Sequence, residues 1–173
     1  MEEIRTERLF LRPWRKDDEE PLVLLANNRK IWLNVRDLFP HPYTHEDAQN
    51  WIHLSRTNPL HYNYAIQWTE HMIGGIGLHR MSDVYRRTVE IGYWIGEPFW
   101  GQGFATEAVR ALSEWGFKSL DIVRIQAGVF EWNKASMRVL EKAGFHFESK
   151  LEKAITKEEK TVDEWLWVRL APA

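Results

Sequence analysis

Trp100-Gly101-Gln102-Gly103-Phe104-Ala105-Thr106-Glu107 is the stretch on which the reading of this chain turns. Upstream, Thr88 to Ile95 reads as a strand that ends shortly before it. Downstream, Phe104 to Leu120 carries Ala108, Leu112 and Trp115 on one stripe, as an amphipathic helix does. Between strand and helix lie two glycines two apart, which let the backbone turn sharply and bring successive N–H groups close to a ligand. The first N–H groups of a helix have no internal partners. Together with the helix dipole they form an anion site. No lysine or arginine occupies the loop, so a phosphate here would be held mostly by backbone. The third glycine of a dinucleotide fingerprint is missing, and no Gly-Lys-Ser/Thr follows as in a P-loop. Taken alone, the loop reads first as a plain strand-to-helix turn.

Working outward, Arg8 to Trp14 alternates around Leu9 and Leu11 and predicts a strand. Asp17-Asp18-Glu19-Glu20 is expected to cap and open a helix through Leu22, Leu25 and Ala26, where carboxylates suit the positive dipole end. A second short helical piece covers Arg29 to Val35. Pro40 and Pro42 forbid helix, so Phe39 to Tyr43 is extended loop. Thr44 with Asp47 makes a capping box for a helix that should turn Ala48, Trp51, Ile52 and Leu54 inward. His61 to Trp68 and Met72 to Leu78 predict a hairpin across Thr69-Glu70-His71. After the central helix, Ile122 to Phe130 is a strand and Lys134 to Lys142 a short helix ended by Gly144. Glu148 to Ile155 and Thr161 to Leu170 form a last hairpin, turned at Lys157-Glu158-Glu159-Lys160, expected to be a solvated charged turn. The result is an α/β chain with antiparallel strands early and a strand–helix–strand crossover late.

The 173 residues suit one domain with one sizeable core, with no repeat or linker-like shift. The ten tryptophans can supply buried area; Trp14, Trp51, Trp68 and Trp115 sit in periodic apolar patterns and are expected in the core. A formal net charge of -2, evenly mixed, gives no electrostatic reason to expect nucleic acid as a partner. The chain has no cysteine, which excludes a disulfide scaffold, a thiolate metal site and a cysteine nucleophile. The histidines lack metal-ligand spacing, so no metal is expected. A charged start without an apolar run, and no stretch near the roughly 20 apolar residues of a membrane span, make a soluble cytoplasmic protein with no membrane partner the expectation. Either a monomer or a homodimer fits.

Gly92-Tyr93-Trp94-Ile95-Gly96-Glu97-Pro98-Phe99 continuing into Trp100–Ala108 resembles the central motif of the GCN5-related N-acetyltransferase (GNAT) superfamily, in the wording of its ribosomal-protein N-terminal acetyltransferase (RimJ/RimL-like) branch. Glu131-Trp132-Asn133-Lys134-Ala135-Ser136 through Ala143-Gly144-Phe145 is similar to the second family block, and Thr6-Glu7-Arg8-Leu9-Phe10-Leu11-Arg12-Pro13 to the first strand of that branch. The resemblance implies a single-domain mixed, mostly antiparallel sheet, flanked by helices and splayed between strands four and five, here Thr88–Ile95 and Ile122–Phe130. Acetyl-CoA, the implied acetyl donor, would fill that gap. Its pantetheine arm would bond the backbone of Tyr93, Trp94 and Ile95, and its pyrophosphate would lie on Gly101, Gln102, Gly103, Phe104, Ala105 and Thr106. Asn133 matches the family Asn near the cofactor; it is also a good helix cap. Two positions depart from the pattern. Trp100 stands where Gln or Arg is usual, and Leu140 where many relatives carry a Tyr general acid.

Amide formation needs a neutral amine, a polarised thioester and a protonated leaving thiol. The resemblance implies Glu90 as a water-mediated base; a salt-bridged strand residue near Arg86 or Arg87 is the plain alternative. Ser136 falls where the branch carries a Ser near the sulfur; stabilising the first helical turn is the alternative. Trp32, Phe39 and Tyr43 lie in the region of the acceptor wall, or simply pack locally. The resemblance implies a primary amine as acceptor: a protein N-terminus, as in the branch, or a polyamine, aminoglycoside or amino-acid derivative. A non-catalytic CoA-binding module is the third reading.

Overall fold

A computed structural model describes residues 2–58 and 61–172. Eight strands and five helices follow one another as β1 (Ile4–Arg5), β2 (Leu9–Pro13), α1 (Glu19–Ala26), α2 (Arg29–Trp32), α3 (His45–Thr57), β3 (His61–Trp68), β4 (His71–Arg80), β5 (Thr88–Ile95), α4 (Phe104–Ser119), β6 (Arg124–Phe130), α5 (Lys134–Lys142), β7 (His146–Lys157) and β8 (Lys160–Leu170). The strands form one sheet in the order β1-β2-β3-β4-β5-β6-β8-β7. Every neighbouring pair is antiparallel except β5–β6, which the α4 crossover makes parallel.

That parallel pair is short. It joins Thr88 to Arg124, Val89 to Ile125 and Glu90 to Gln126, and there it stops. Beyond Glu90, β5 stays paired to β4 as far as Ile95 opposite Gly74. β6 stays paired to β8 as far as Phe130 opposite Glu164. The sheet is therefore continuous at one end of β5–β6 and splayed at the other.

Each face of the sheet has its own core. Val89, Ile91 and Ile95 of β5 join Phe104, Ala108, Val109 and Leu112 of α4 and Met137 and Leu140 of α5 on one side. Trp14, Leu22, Ala26, Ala48, Ile52 and Ala65 pack on the other, under α1 and α3. The period of each helix explains its place: α4 buries Phe104, Ala108, Val109, Leu112, Ser113 and Gly116, a 3–4 spaced stripe. Thr44 and Asp47 make the expected reciprocal capping box on α3.

Five expectations are corrected. Asp18 does not cap α1 with its side chain. It is buried, and its carboxylate takes both terminal nitrogens of the buried Arg12, at 2.8 and 2.7 Å, and the Arg15 N–H at 2.8 Å. A guanidinium brought inside by β2 needs a full charge partner, and that need overrides helix capping. Leu54 is 48% exposed rather than inward, because the buried stripe of α3 runs through Ala48, Ile52 and Ser55. Lys157 is not solvated: it is 3% exposed, with Nζ 3.8 Å over the Trp32 ring and donating to the Val35 carbonyl at 2.9 Å and to Asp37 at 2.6 Å. The expected helix over Arg29–Val35 ends at Trp32, and the strand expected from Ile122 begins at Arg124.

Removing one partner of a buried ion pair leaves an uncompensated charge. Asp18→Ala should therefore cost roughly 3–5 kcal/mol, read as a lower urea midpoint, and Arg12→Met added to Asp18→Leu should recover most of it.

Candidate active site

Three features converge where the sheet opens. The first is the turn that follows β5. A short 3-10 turn, Glu97–Phe99, leads to Trp100, whose indole N–H donates to the Ile95 carbonyl at 2.6 Å. The tryptophan that replaces the usual polar residue thus closes the loop on its own strand. Gly101 (φ +75°) and Gly103 (φ +81°) take left-handed conformations that other residues enter only at a cost. Gly103 caps α4 without any side-chain acceptor, so among the described residues no N-cap side chain takes the N–H groups of Phe104, Ala105 and Thr106.

Basic side chains flank this helix start, although none lies in the loop. Arg8 donates to the Gln102 carbonyl at 2.9 Å and to Glu107 at 2.7 Å, with its guanidinium 4.6 Å above the Phe104 ring. A cavity of about 290 Å³ opens here, lined by Arg8, Arg110 and Lys142 but also by the carboxylates of Glu7 and Glu107, with Gly103 and Thr106 between them. Burial works against the charge of Glu107, but hydrogen bonds from Thr6, the Arg8 N–H and the Arg8 side chain hold its carboxyl below the usual range. Arg110 and Lys142 come from different helices, so spacing along the chain gave no sign of them.

The second feature is the free edge of β5. Past Glu90 the backbone through Tyr93, Trp94 and Ile95 has β4 on one side and, among the described residues, no strand on the other. The pleat sends alternate side chains to opposite faces. Trp94 lies against Gly75 and stacks edge-on to Phe39, with centroids 5.8 Å apart. Tyr93 points the other way, across the gap to α5, where its phenol oxygen lies 2.7 Å from Ser136 Oγ. Asn133 accepts from the Ser136 N–H at 3.1 Å and so caps α5. Leu140 is fully buried in the core.

The third feature is a charged cluster on the Trp94 face. Glu90 bonds Arg36 at 2.6 Å. The plain alternative for Glu90, an ion pair with Arg86 or Arg87, is not what forms: Arg87 pairs with Asp121. Glu164 of β8 leans over Gly128 so closely that a Cβ there would meet its carboxylate oxygen at 2.0 Å. Burial pushes the Glu164 carboxyl above its ordinary value; the Arg36 charge opposes this and the Glu90 charge adds to it. His79, paired across β4–β5 with Glu90, is pulled down to about 4 by burial, by His61 and by Arg36, and is neutral near pH 7. Glu164 and Arg36 were not singled out from the sequence. The one sign of Glu164 was a carboxylate in the otherwise apolar alternation Val162, Glu164, Leu166, Val168. Arg36 carried none. Among the described residues, no three His, Asp or Glu side chains converge as metal ligands would.

Comparison with known proteins bears on this geometry directly. Residues 8–146 match the model of the acetyltransferase (GNAT) domain. The chain belongs to that family. It is 32% identical over 152 residues to the probable N-acetyltransferase YjcK of Bacillus subtilis (strain 168), covering 84% of each chain. The crystal structure of a GNAT-family acetyltransferase from Bacillus anthracis superposes with a TM-score of 0.88 at 25% identity, over 98% of this chain and 99% of that one. RimL, a ribosomal α-N-protein acetyltransferase in complex with coenzyme A, shares the fold at a TM-score of 0.86 and 22% identity, over 98% of each chain. The splayed GNAT sheet expected from the sequence is the one observed, with the opening between β5 and β6 once the two-residue β1 is counted. This GNAT chain is an N-acetyltransferase, and no helix among its described residues is long and apolar enough to cross a membrane.

Gly103→Ala puts a Cβ in a left-handed position, 3.4 Å from the Arg8 guanidinium. Stability should fall by about 1–2 kcal/mol, and calorimetry with acetyl-CoA should show a Kd raised roughly tenfold, the equivalent of ~1.4 kcal/mol. Unchanged affinity would remove this loop from the cofactor site.

Proposed function

We propose that the 173 residues act as one catalytic domain that transfers acetyl from acetyl-CoA to the amino terminus of a protein or peptide. The observation that carries the donor half is the early end of the β5–β6 pairing at Glu90, with an uncapped helix start at the far end of the same strand. An extended pantetheine arm bonds the backbone of Tyr93, Trp94 and Ile95 as an added strand would. The pyrophosphate takes the N–H groups of Gly101 to Thr106, and Arg110 and Lys142 supply the cations that the loop lacks, since the Arg8 guanidinium is held by Glu107 and the Gln102 carbonyl. RimL, of the same fold, holds coenzyme A, which supports this donor.

For the acceptor half, the carboxylates Glu90 and Glu164 face the arriving ammonium. Glu164, with its raised pKa, is the better matched base near neutral pH, and Glu90 holds the ammonium beside it. One proton passes from the ammonium to Glu164. The amine nitrogen then bonds to the thioester carbonyl carbon, the C–S bond breaks, and the second amine proton ends on the sulfur. Ser136 donates to the thiolate as it departs. Arg36 cancels one of the two carboxylate charges, which leaves room for one ammonium rather than several. That balance favours a peptide terminus over a polyamine.

A panel of N-terminal peptides and polyamines, followed by thiol release, tests the acceptor; faster turnover of spermidine than of any peptide would reverse the assignment. Glu164→Gln should lower kcat by roughly 10²-fold or more. It should also remove the rise of kcat/KM with pH that deprotonation of Glu164 produces above the ordinary carboxylate range. Glu90→Gln should mainly raise the acceptor KM. Arg36→Gln should lower the KM for diamines relative to peptides.

A further inference from the structure

Resting on the role proposed for Ser136, we propose that Tyr93 is a positioning residue that orients the Ser136 hydroxyl toward the leaving sulfur. Two hydroxyls meet at the start of α5. The Tyr93 oxygen lies 2.7 Å from Ser136 Oγ and 3.3 Å from the Ser136 carbonyl oxygen. The serine is itself fixed, because its N–H is taken by the Asn133 side chain at 3.1 Å. Its hydroxyl and the phenol O–H are the rotors left in the group, and the direction of the serine proton decides what Ser136 can do.

A phenol has one proton to give and a serine hydroxyl has one proton and two lone pairs. If Ser136 donates to Tyr93, the phenol proton turns to the Ser136 carbonyl and nothing remains for a third partner. If Tyr93 donates to Ser136, the serine proton is free. A thiolate forming beside Ser136 selects the second arrangement, and a hydroxyl that already accepts a hydrogen bond is a stronger donor. The chain then runs Tyr93 O–H to Ser136 Oγ–H to sulfur. No bond to carbon changes, and no proton leaves either side chain.

Burial suits Tyr93 to this part. Desolvation raises the phenol pKa above its ordinary value, and the hydrogen bond with Ser136 only partly offsets this, so the group stays protonated and stays a donor. Its ring packs against the core cluster beneath α4 and α5, which holds the oxygen in place without help from bound ligand. The strand supplies the rest. Tyr93 belongs to the five residues of β5 that run past the last β5–β6 pair, so its side chain reaches across the gap to α5.

The test is a double-mutant cycle on the full chain. Tyr93→Phe removes one oxygen and keeps the ring. Acetyl-CoA affinity by calorimetry and the melting temperature are measured beside kcat for each variant. The expected result is a kcat about 5- to 20-fold lower in Tyr93→Phe, the range of one oriented hydrogen bond, with KM for acetyl-CoA within about twofold. In the Ser136→Ala background, the same change should have no further effect on kcat. Tyr93→Phe with a lowered melting temperature but wild-type kcat would overturn the inference while leaving the role of Ser136 intact. Equal kcat losses in both backgrounds would also overturn it, since Tyr93 would then act without Ser136. If Ser136→Ala itself keeps full kcat, the reading of Ser136 falls, and this inference with it.

Discussion

The short β5–β6 ladder is the constraint on which the rest depends. Parallel strands joined by a helix normally pair along their length, because each unpaired backbone group forfeits a hydrogen bond. Here three residue pairs hold, then the strands separate, and each keeps its other neighbour. The unpaired edge of β5 costs stability, and a free strand edge is a surface with which an extended ligand can pair. The α4 crossover brings its own uncapped N-terminus to the end of that edge. A strand edge, a helix start and a gap are thus supplied by one topological device.

A second device lies on the Glu90 face of β5. Residues 33–38 follow α2 and carry no regular structure, yet they are tied at several points. Lys157 holds the Val35 carbonyl and Asp37, Trp132 donates to Asn34 at 3.1 Å, and Arg36 bonds Glu90. Arg29 bonds Glu158 at 2.7 Å just outside. Lys157 gives up hydration in exchange for a carboxylate, a carbonyl and an indole face, and this combination is what makes a buried ammonium tolerable. The β7–β8 turn therefore acts as the anchor of this segment and not as a loose surface loop.

Much of this was legible along the chain. The elements followed from period and punctuation: the Phe104 stripe, the Asn133 cap, the Thr44–Asp47 box and the two loop glycines are all local signals, and each falls where local physics puts it. What was hidden is what side chains do to one another once burial and distant contacts are in place. Asp18 looked like a helix cap because its partner, Arg12, announces itself only through burial. Lys157 looked solvated because Trp32 and Asp37, on which it rests, lie more than a hundred residues away. Glu164 and Arg36 joined the site for the same reason: a carboxylate on β8 and a guanidinium on a loop meet only once the sheet has formed. Tyr93 was expected to contribute its backbone, and no sequence pattern shows that its phenol reaches Ser136.

The pleat of β5 explains how so many tasks fit in so few residues. Glu90 and Trp94 point to the face with Arg36 and His79, while Tyr93 points to α5, and the backbone edge between them stays free. Glu90 and the Tyr93–Ser136 hydroxyl pair are therefore on opposite faces of one strand, with the thioester's proposed path along its edge. Such an arrangement is intolerant of register error, since a one-residue slip sends every side chain to the wrong face. The β4 glycines guard against it. Gly75 lies opposite Trp94, and a Cβ there would come within 2.8 Å of the indole nitrogen; at Gly74 it would come within 2.2 Å of the Trp94 carbonyl oxygen. Only a bare backbone admits Trp94 at that level, and a slip that set the indole opposite Ile76 would press it against a side chain. The same packing that places a tryptophan on glycine thereby fixes which face receives Glu90 and which receives Tyr93.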